Sequence, residues 1–467
     1  MKKGLLVVFL MGLIFVPLFA QDNGGLKIGD TTWKFNGEIR FMYTDQTDPG
    51  YYQFFSDTKA DDPIVADTIN RMYQRYRFGV TGEMSDRLSA HFEFQVGDEQ
   101  WGNKSYNERE VNLRTLYAYL QFRPEFLGDN TTFKVGLQGY DDIFQGSVFS
   151  DEAIGILVNH IMGTFNANVG FLTLRDDDVD MGIEFPDMEH GLLSSAETLY
   201  IADMNYKFSD TLSVKGAFYY DYLDKLNIGL AQLKSTVAFY GVGADYLLND
   251  TITVGGHFVM RSGSNEATDN GVAVLNVDQK GYFAYSYATY TVDKFSAKVN
   301  FGYTPFDIET SSGMLTGDIT SWTGAFALLV DNPMFMLLGY GNGDQWQTAY
   351  GLEYFGRGEV CDRQAVNSGY GGLYGLMAIS ANLSYDFMYA NIGILRATFD
   401  EDLIPEEDVG KSYGTEIDIG VKTEIMKNLE FKAVYAMFFT GDFYEALHDT
   451  TEMDDAHEMS MLLRYTF

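Results

Sequence analysis

The chain has 467 residues with 66 Asp+Glu against 32 Lys+Arg, a formal net charge of −34 that excludes nucleic acid as a partner over most of the surface. A single cysteine, Cys361, excludes an internal disulfide framework, and six histidines without a close His/Cys cluster leave no transition-metal site visible. Forty-eight Gly, 32 Tyr and 36 Phe against 8 Pro favour strands and tight turns, and a mean hydropathy of −0.14 is low for a helical membrane protein.

Residues 1–20 read Met-Lys-Lys-Gly, then an apolar run from Leu5 to Phe19 interrupted by Pro17, then Ala20 before a polar boundary. A basic start, a short apolar core and a small boundary residue predict a cleavable secretory signal, leaving residues 21–467 as one mature domain. Removing Lys2 and Lys3 takes the charge from −34 to −36. No later stretch approaches the roughly 18 apolar residues of a spanning helix.

From residue 33 onward, segments of alternating residues recur. Trp33, Phe35, Gly37, Ile39, Phe41 and Tyr43 form one face, opposed by Lys34, Asn36, Glu38 and Arg40. Leu88, Ala90, Phe92, Phe94 and Val96 repeat the design against Ser89, His91, Glu93 and Gln95. Phe295 to Tyr303 and Leu429 to Met437 follow it again. Side chains alternate sides along a strand, so this period predicts walls with lipid on one side and water on the other. Arg40, Glu93 and Gln95 are then lumen-facing, and an Arg at Gln95 is expected to be mild. Short polar turns at 85–87, 209–211, 249–251, 293–294 and 427–428 join these segments as hairpins. The polar segments 45–68, 99–108, 175–194, 224–233, 263–278 and 400–412 are expected as long outer loops. The fold predicted is all-β: a transmembrane antiparallel barrel of about 18 strands, with short periplasmic turns and long outer loops. Residues 307–371 are either one long loop or hide a further hairpin around Trp322 to Gly341, which would give about 20 strands.

A barrel of that size leaves an aqueous channel unless something folds into it. The third outward loop, from Tyr140 to Ala153, carries Asp141, Asp142, Asp151 and Glu152. Folded inward, these acids would face Arg71, Arg75 and Arg77 on the second strand, with Tyr73 between them, and the opposed charges would select solutes by charge and dipole. The acidic excess predicts a moderate preference for cations. Acidic runs at Asp176, Asp177, Asp178 and Asp180, and from Asp400 to Asp408, are solvated loops or sites for a divalent cation such as Ca²⁺. No other cofactor is expected.

The chain ends with Met459, Met461, Leu463, Tyr465 and Phe467 alternating with Ser460, Leu462, Arg464 and Thr466. Its terminal Phe, with an aromatic two residues before it, resembles the signal that passes barrels to their assembly machinery. The block Phe92–Gly102 (FEFQVGDEQWG), with Leu116–Leu120 (LYAYL), Val135–Gly139 (VGLQG), Phe149–Gly155 (FSDEAIG) and Gly369–Leu376 (GYGGLYGL), resembles the homotrimeric porin family of sulfate-reducing bacteria. That resemblance implies a general diffusion porin for ions and small hydrophilic solutes, three barrels per assembly, in the lipid of a Gram-negative outer membrane. This chain departs from the family at the adjacent pair Asp151-Glu152, where the family tends to separate two acids by one residue. A weaker resemblance is to alginate-export-type channels, whose lumen is arginine-rich; a non-conducting structural or adhesive barrel is the other alternative. Catalysis is not expected: the one Gly-x-Ser-x-Gly match, around Ser412, opens an alternating strand instead of a strand-turn-helix elbow.

Overall fold

The computed structural model of the chain describes residues 25–47, 69–100, 113–175, 197–228, 231–269, 272–305, 307–308, 318–320, 376–398, 410–443 and 455–467. Eighteen strands build the wall. The first six are β1 (Thr31–Thr47), β2 (Ile69–Ser85), β3 (Leu88–Gln100), β4 (Leu113–Phe122), β5 (Thr131–Asp141) and β6 (Ser150–Met162). The next six are β7 (Phe165–Arg175), β8 (Glu197–Lys207), β9 (Leu212–Ile228), β10 (Ala231–Asn249), β11 (Ile252–Asp269) and β12 (Val272–Val292). The last six are β13 (Phe295–Thr304), β14 (Leu376–Tyr385), β15 (Met388–Arg396), β16 (Ser412–Met426), β17 (Leu429–Thr440) and β18 (Ala456–Thr466). Every strand is antiparallel to its neighbours, and β18 pairs with β1 to close the barrel. Closure leaves no unpaired edge in the wall, which a lipid-embedded sheet requires.

The alternation read from the sequence sets the register. Ile39, Phe41 and Tyr43 of β1 lie opposite Tyr76, Gln74 and Met72 of β2 and opposite Tyr465, Leu463 and Met461 of β18, so outward residues meet outward residues across the seam. A slip of one residue would turn this whole face, apolar but for Gln74, into the lumen. The terminal residue completes the seam: Gly37 N donates to Phe467 O at 3.0 Å and Phe467 N donates to Gly37 O at 3.1 Å. The tight turns are set by local chemistry. Asp293, Asp386 and Asn428 take positive φ, a region that Asp and Asn tolerate better than most residues. Asn249 Oδ1 accepts from Thr251 N and Ile252 N, both at 2.9 Å.

One expectation changes. The segments 224–233 and 263–278 are largely not loops: β9, β10, β11 and β12 run for 17, 19, 18 and 21 residues, against the roughly 9–11 that a membrane crossing needs. Beyond the lipid both faces of a strand meet water, so the apolar alternation fades while the backbone ladder continues. The further hairpin, the alternative for residues 307–371 around Trp322 to Gly341, lies outside the described residues, and the wall has the 18 strands expected. β13 pairs directly with β14 over ten residues, from Phe295↔Tyr385 to Thr304↔Leu376. Three short strands stand apart from the 18. Leu26–Ile28 folds back on β1, Asp307–Ile308 pairs with Ile319–Thr320, and Asp318–Thr320 runs parallel to Asp278–Lys280 of the tall β12.

Candidate functional site

The hairpin formed by β5 and β6 leaves the wall. Its two strands pair with each other as far as Asp141↔Ser150, but β5 pairs with β4 only up to Leu137, and β6 with β7 only from Ile154. Residues 138–153 are therefore held by one another and by what they touch in the lumen. One face packs on β8 to β11. Tyr140 Oη donates to Asp203 Oδ2, and Asn168 Nδ2 donates to the other oxygen of that carboxylate at 2.8 Å. Phe144, wholly buried, meets the Tyr219 ring edge-on at 6.5 Å and the His257 ring at 5.3 Å. Ile143 N donates to Tyr219 Oη at 3.3 Å, and Ser147 Oγ is 3.1 Å from His257 Nε2. The Phe144 ring occupies the space above Gly241, where a Cβ would fall 2.8 Å from it. Burying an aromatic side chain is worth about 1.5–3 kcal/mol, so this contact is a main source of docking energy.

The loop's tip is organised by Asp142. Its carboxylate accepts from Phe144 N at 2.6 Å, Val148 N at 2.6 Å and Phe149 N at 2.8 Å, and it is 3 % exposed. Burial pushes its carboxyl up to about 6, against the downward pull of the three N–H donors. Asp142 was expected to face the arginines; the structure turns it into the loop instead, because three otherwise unmatched amides surround it.

The other side of the hairpin adjoins β4: a Cβ on Gly139 would fall 3.4 Å from the Tyr117 ring. Asp141 and Glu152 are both within electrostatic reach of Tyr117, as are Arg77 and Glu93. Arg77 Nε donates to Gln95 Oε1 at 2.8 Å. Arg75 is buried, and its Nε and Nη2 donate to Glu38 Oε1 at 2.9 and 2.7 Å. Arg40 lies in register between Arg75 and Arg464, and Arg464 Nη2 donates to Glu430 Oε1 at 2.8 Å. Glu93 accepts from Asn36 Nδ2 at 3.3 Å and lies 3.6 Å from His91 Nε2. The arginine face is thus a mixed-charge wall fixed by its own acids. The side chains of Arg71, Tyr73 and Asp151 lie outside the described residues. So do Asp176 to Asp180 and Asp400 to Asp408, and among the described residues no group of three or more His, Cys, Asp or Glu is placed to hold a metal ion.

Sequence reasoning did not single out the anchors Tyr140, Phe144, Asp203, Tyr219 and His257. A signal was present: Ile143, Phe144, Val148 and Phe149 make half of the loop 142–149 apolar, unusual for a segment expected to face water. Leu463, Tyr465 and Phe467 stand on the outward face beside β1, and Ser412 opens β16 with no helix after it.

Together these features define a closed 18-stranded antiparallel barrel with a hairpin folded into its lumen. Comparison with solved structures agrees on the fold. The chain is similar to OccAB1 of Acinetobacter baumannii (TM-score 0.50, 12 % identity, covering 96 % of this chain and 99 % of that one). It is equally similar to a doubly substituted variant of OccD1 (OprD) (TM-score 0.50, 12 % identity, 96 % and 98 % covered). At that identity the likeness shows the barrel architecture alone. No protein-family model matches the sequence, and no curated protein matches it.

Proposed function

We propose that this protein is an outer-membrane porin: a water-filled channel for passive diffusion of ions and small hydrophilic solutes, moderately cation-preferring. The observation that carries the reading is the inward hairpin. It carries Asp141 and Glu152, which act on Tyr117 together with Arg77 and Glu93 and so support a constriction of opposed charges, while its other face is anchored on β8 to β11. A barrel of 18 strands is wide enough to hold water, and such a hairpin narrows it without closing the wall. Opposed fixed charges at that level act on ions and on the dipoles of solutes. The cation preference follows from a mature charge of −36, which attracts cations at the mouths, partly offset inside by the arginines.

Export by a cleavable signal over residues 1–20, insertion through the barrel-assembly machinery and assembly as a homotrimer belong to the same reading, as does Ca²⁺ at the acidic outer loops. The seam support for insertion is the pairing of Phe467 with Gly37. The experiment is reconstitution in planar bilayers. Discrete, stable conductance steps that scale with salt are expected; a folded barrel that conducts nothing would leave the structural or adhesive alternative in place.

A further inference from the structure

Next along the wall from the hairpin's anchors, near the short turns, a cavity of about 580 Å³ is lined by residues of β12 to β17. We infer that it is a subsite for a neutral, polyhydroxylated solute, a short saccharide. The inference rests on the channel reading and names a solute class for it.

Three observations carry it. The first is a row of carboxamides across the wall. Asn300 Nδ2 donates to Asn382 Oδ1 at 3.1 Å, and Asn382 Nδ2 donates to Asn391 Oδ1 at 3.2 Å; Asn382 and Asn391 line the cavity. Asn391 Nδ2 also donates to Asp418 Oδ2 at 3.4 Å, so the capacity toward a solute rests with Asn382, whose carboxamide has two donors and two acceptor lone pairs against the two bonds of the row; that mixed capacity matches a sugar hydroxyl, which both donates and accepts.

The second is an aromatic platform. A Cβ on Gly420 would fall 2.2 Å from Tyr389 Cζ, so the hydroxyl end of the Tyr389 ring passes over that glycine on the inner wall, and Tyr389 lines the cavity. An aromatic ring lining a cavity is a surface on which the C–H face of a pyranose stacks. The third is charge. The lining holds three cations, Lys298, Lys422 and Lys432, and three anions, Asp386, Glu424 and Glu430, with Lys422 Nζ 3.3 Å from Glu430 Oε2. A formally neutral lining has no net attraction for an ion, whereas its charged groups still hydrogen-bond hydroxyls strongly. The volume lies within the usual range for small-molecule sites, about 300–1,000 Å³.

The test uses maltotriose on single channels in planar bilayers, added from the side of the short turns, with a polyethylene glycol of matched size as control. Concentration-dependent block by maltotriose exceeding that by the polymer is expected. Tyr389→Ala and Asn382→Ala should each weaken the block about tenfold or more, a loss of roughly 1.4 kcal/mol. Tyr389→Phe, which keeps the platform, should retain it. Block no greater than the polymer's, or block indifferent to Tyr389→Ala and Asn382→Ala, overturns the assignment. Stronger block by glucose 6-phosphate than by glucose overturns it too, in favour of an anion site. If the folded barrel does not conduct at all, the channel reading fails separately, and maltotriose calorimetry on the detergent-solubilised protein and on Tyr389→Ala decides the subsite: heat lost in the variant supports it, no heat in the parent overturns it.

Discussion

Phe94 and Gln95 are neighbours on β3 with opposite surroundings. Phe94 stacks on Phe78 at 5.9 Å on the outward face. An Arg there is expected to cost about 2–4 kcal/mol near the bilayer midplane, read from denaturant unfolding in vesicles. Alternation sets Gln95 on the face opposite Phe94 but does not reveal its crowding: it is 1 % exposed, bonded to Arg77 and opposite Arg114. Gln95→Arg would set a third guanidinium between two others and remove an acceptor, so a loss of about 1–3 kcal/mol replaces the mild effect expected from pattern alone. Asp142 teaches the same lesson, since an acid's presence in a loop does not reveal where its carboxylate points. With its carboxyl at about 6 when docked against 3.8 when solvated, protonation favours the docked loop. That contribution is complete below 3.8 and is lost as pH rises through about 6, so conductance should fall on acidification across this window. Asp142→Asn should flatten the profile; an unchanged profile in the variant would remove Asp142 from the docking equilibrium.

The hairpin of residues 138–153 is an element added to the barrel rather than part of its wall, and its anchors are separable from wall stability. Phe144→Ala removes a wholly buried ring from between Tyr219, His257 and Gly241, a change worth about 3–5 kcal/mol in a core. The expected result is a larger single-channel conductance with the heat-resistant barrel intact on gels; an unchanged conductance would show that the hairpin does not narrow the lumen. Elements were legible where a strand has lipid on one side and water on the other, as in Phe295 to Tyr303, because only there does burial impose a period of two. The upper halves of β9 to β12 lack that contrast, so residues 263–278 read as loop although Gly263↔Gln279 and Asn265↔Val277 are paired.

At the scale of the whole molecule, 18 strands close through one seam, and its final bonds are those between Phe467 and Gly37. Deleting Phe467 removes two backbone bonds and an outward aromatic from the last strand to join. Secretion across the inner membrane should persist while the heat-resistant outer-membrane species declines; normal levels after the deletion would contradict the role given to the terminal strand. Strand number and closure were readable from length and alternation, whereas the tilt of one hairpin into the lumen depends on contacts among residues more than 60 positions apart, such as Tyr140 with Asp203 and Ser147 with His257. No local pattern encodes those.

The central claim is that Asp141 and Glu152 stand opposite Arg75 and Arg77 at the narrowest part of a conducting lumen. Reversal potentials across a salt gradient test it most directly, at low enough salt that the Debye length stays near 10 Å, as at about 0.1 M. The parent is expected to prefer cations moderately, Asp141→Asn with Glu152→Gln to reduce that preference, and neutralising Arg75 and Arg77 to raise it; anion preference in the parent, or no response to the two amides, would contradict the account.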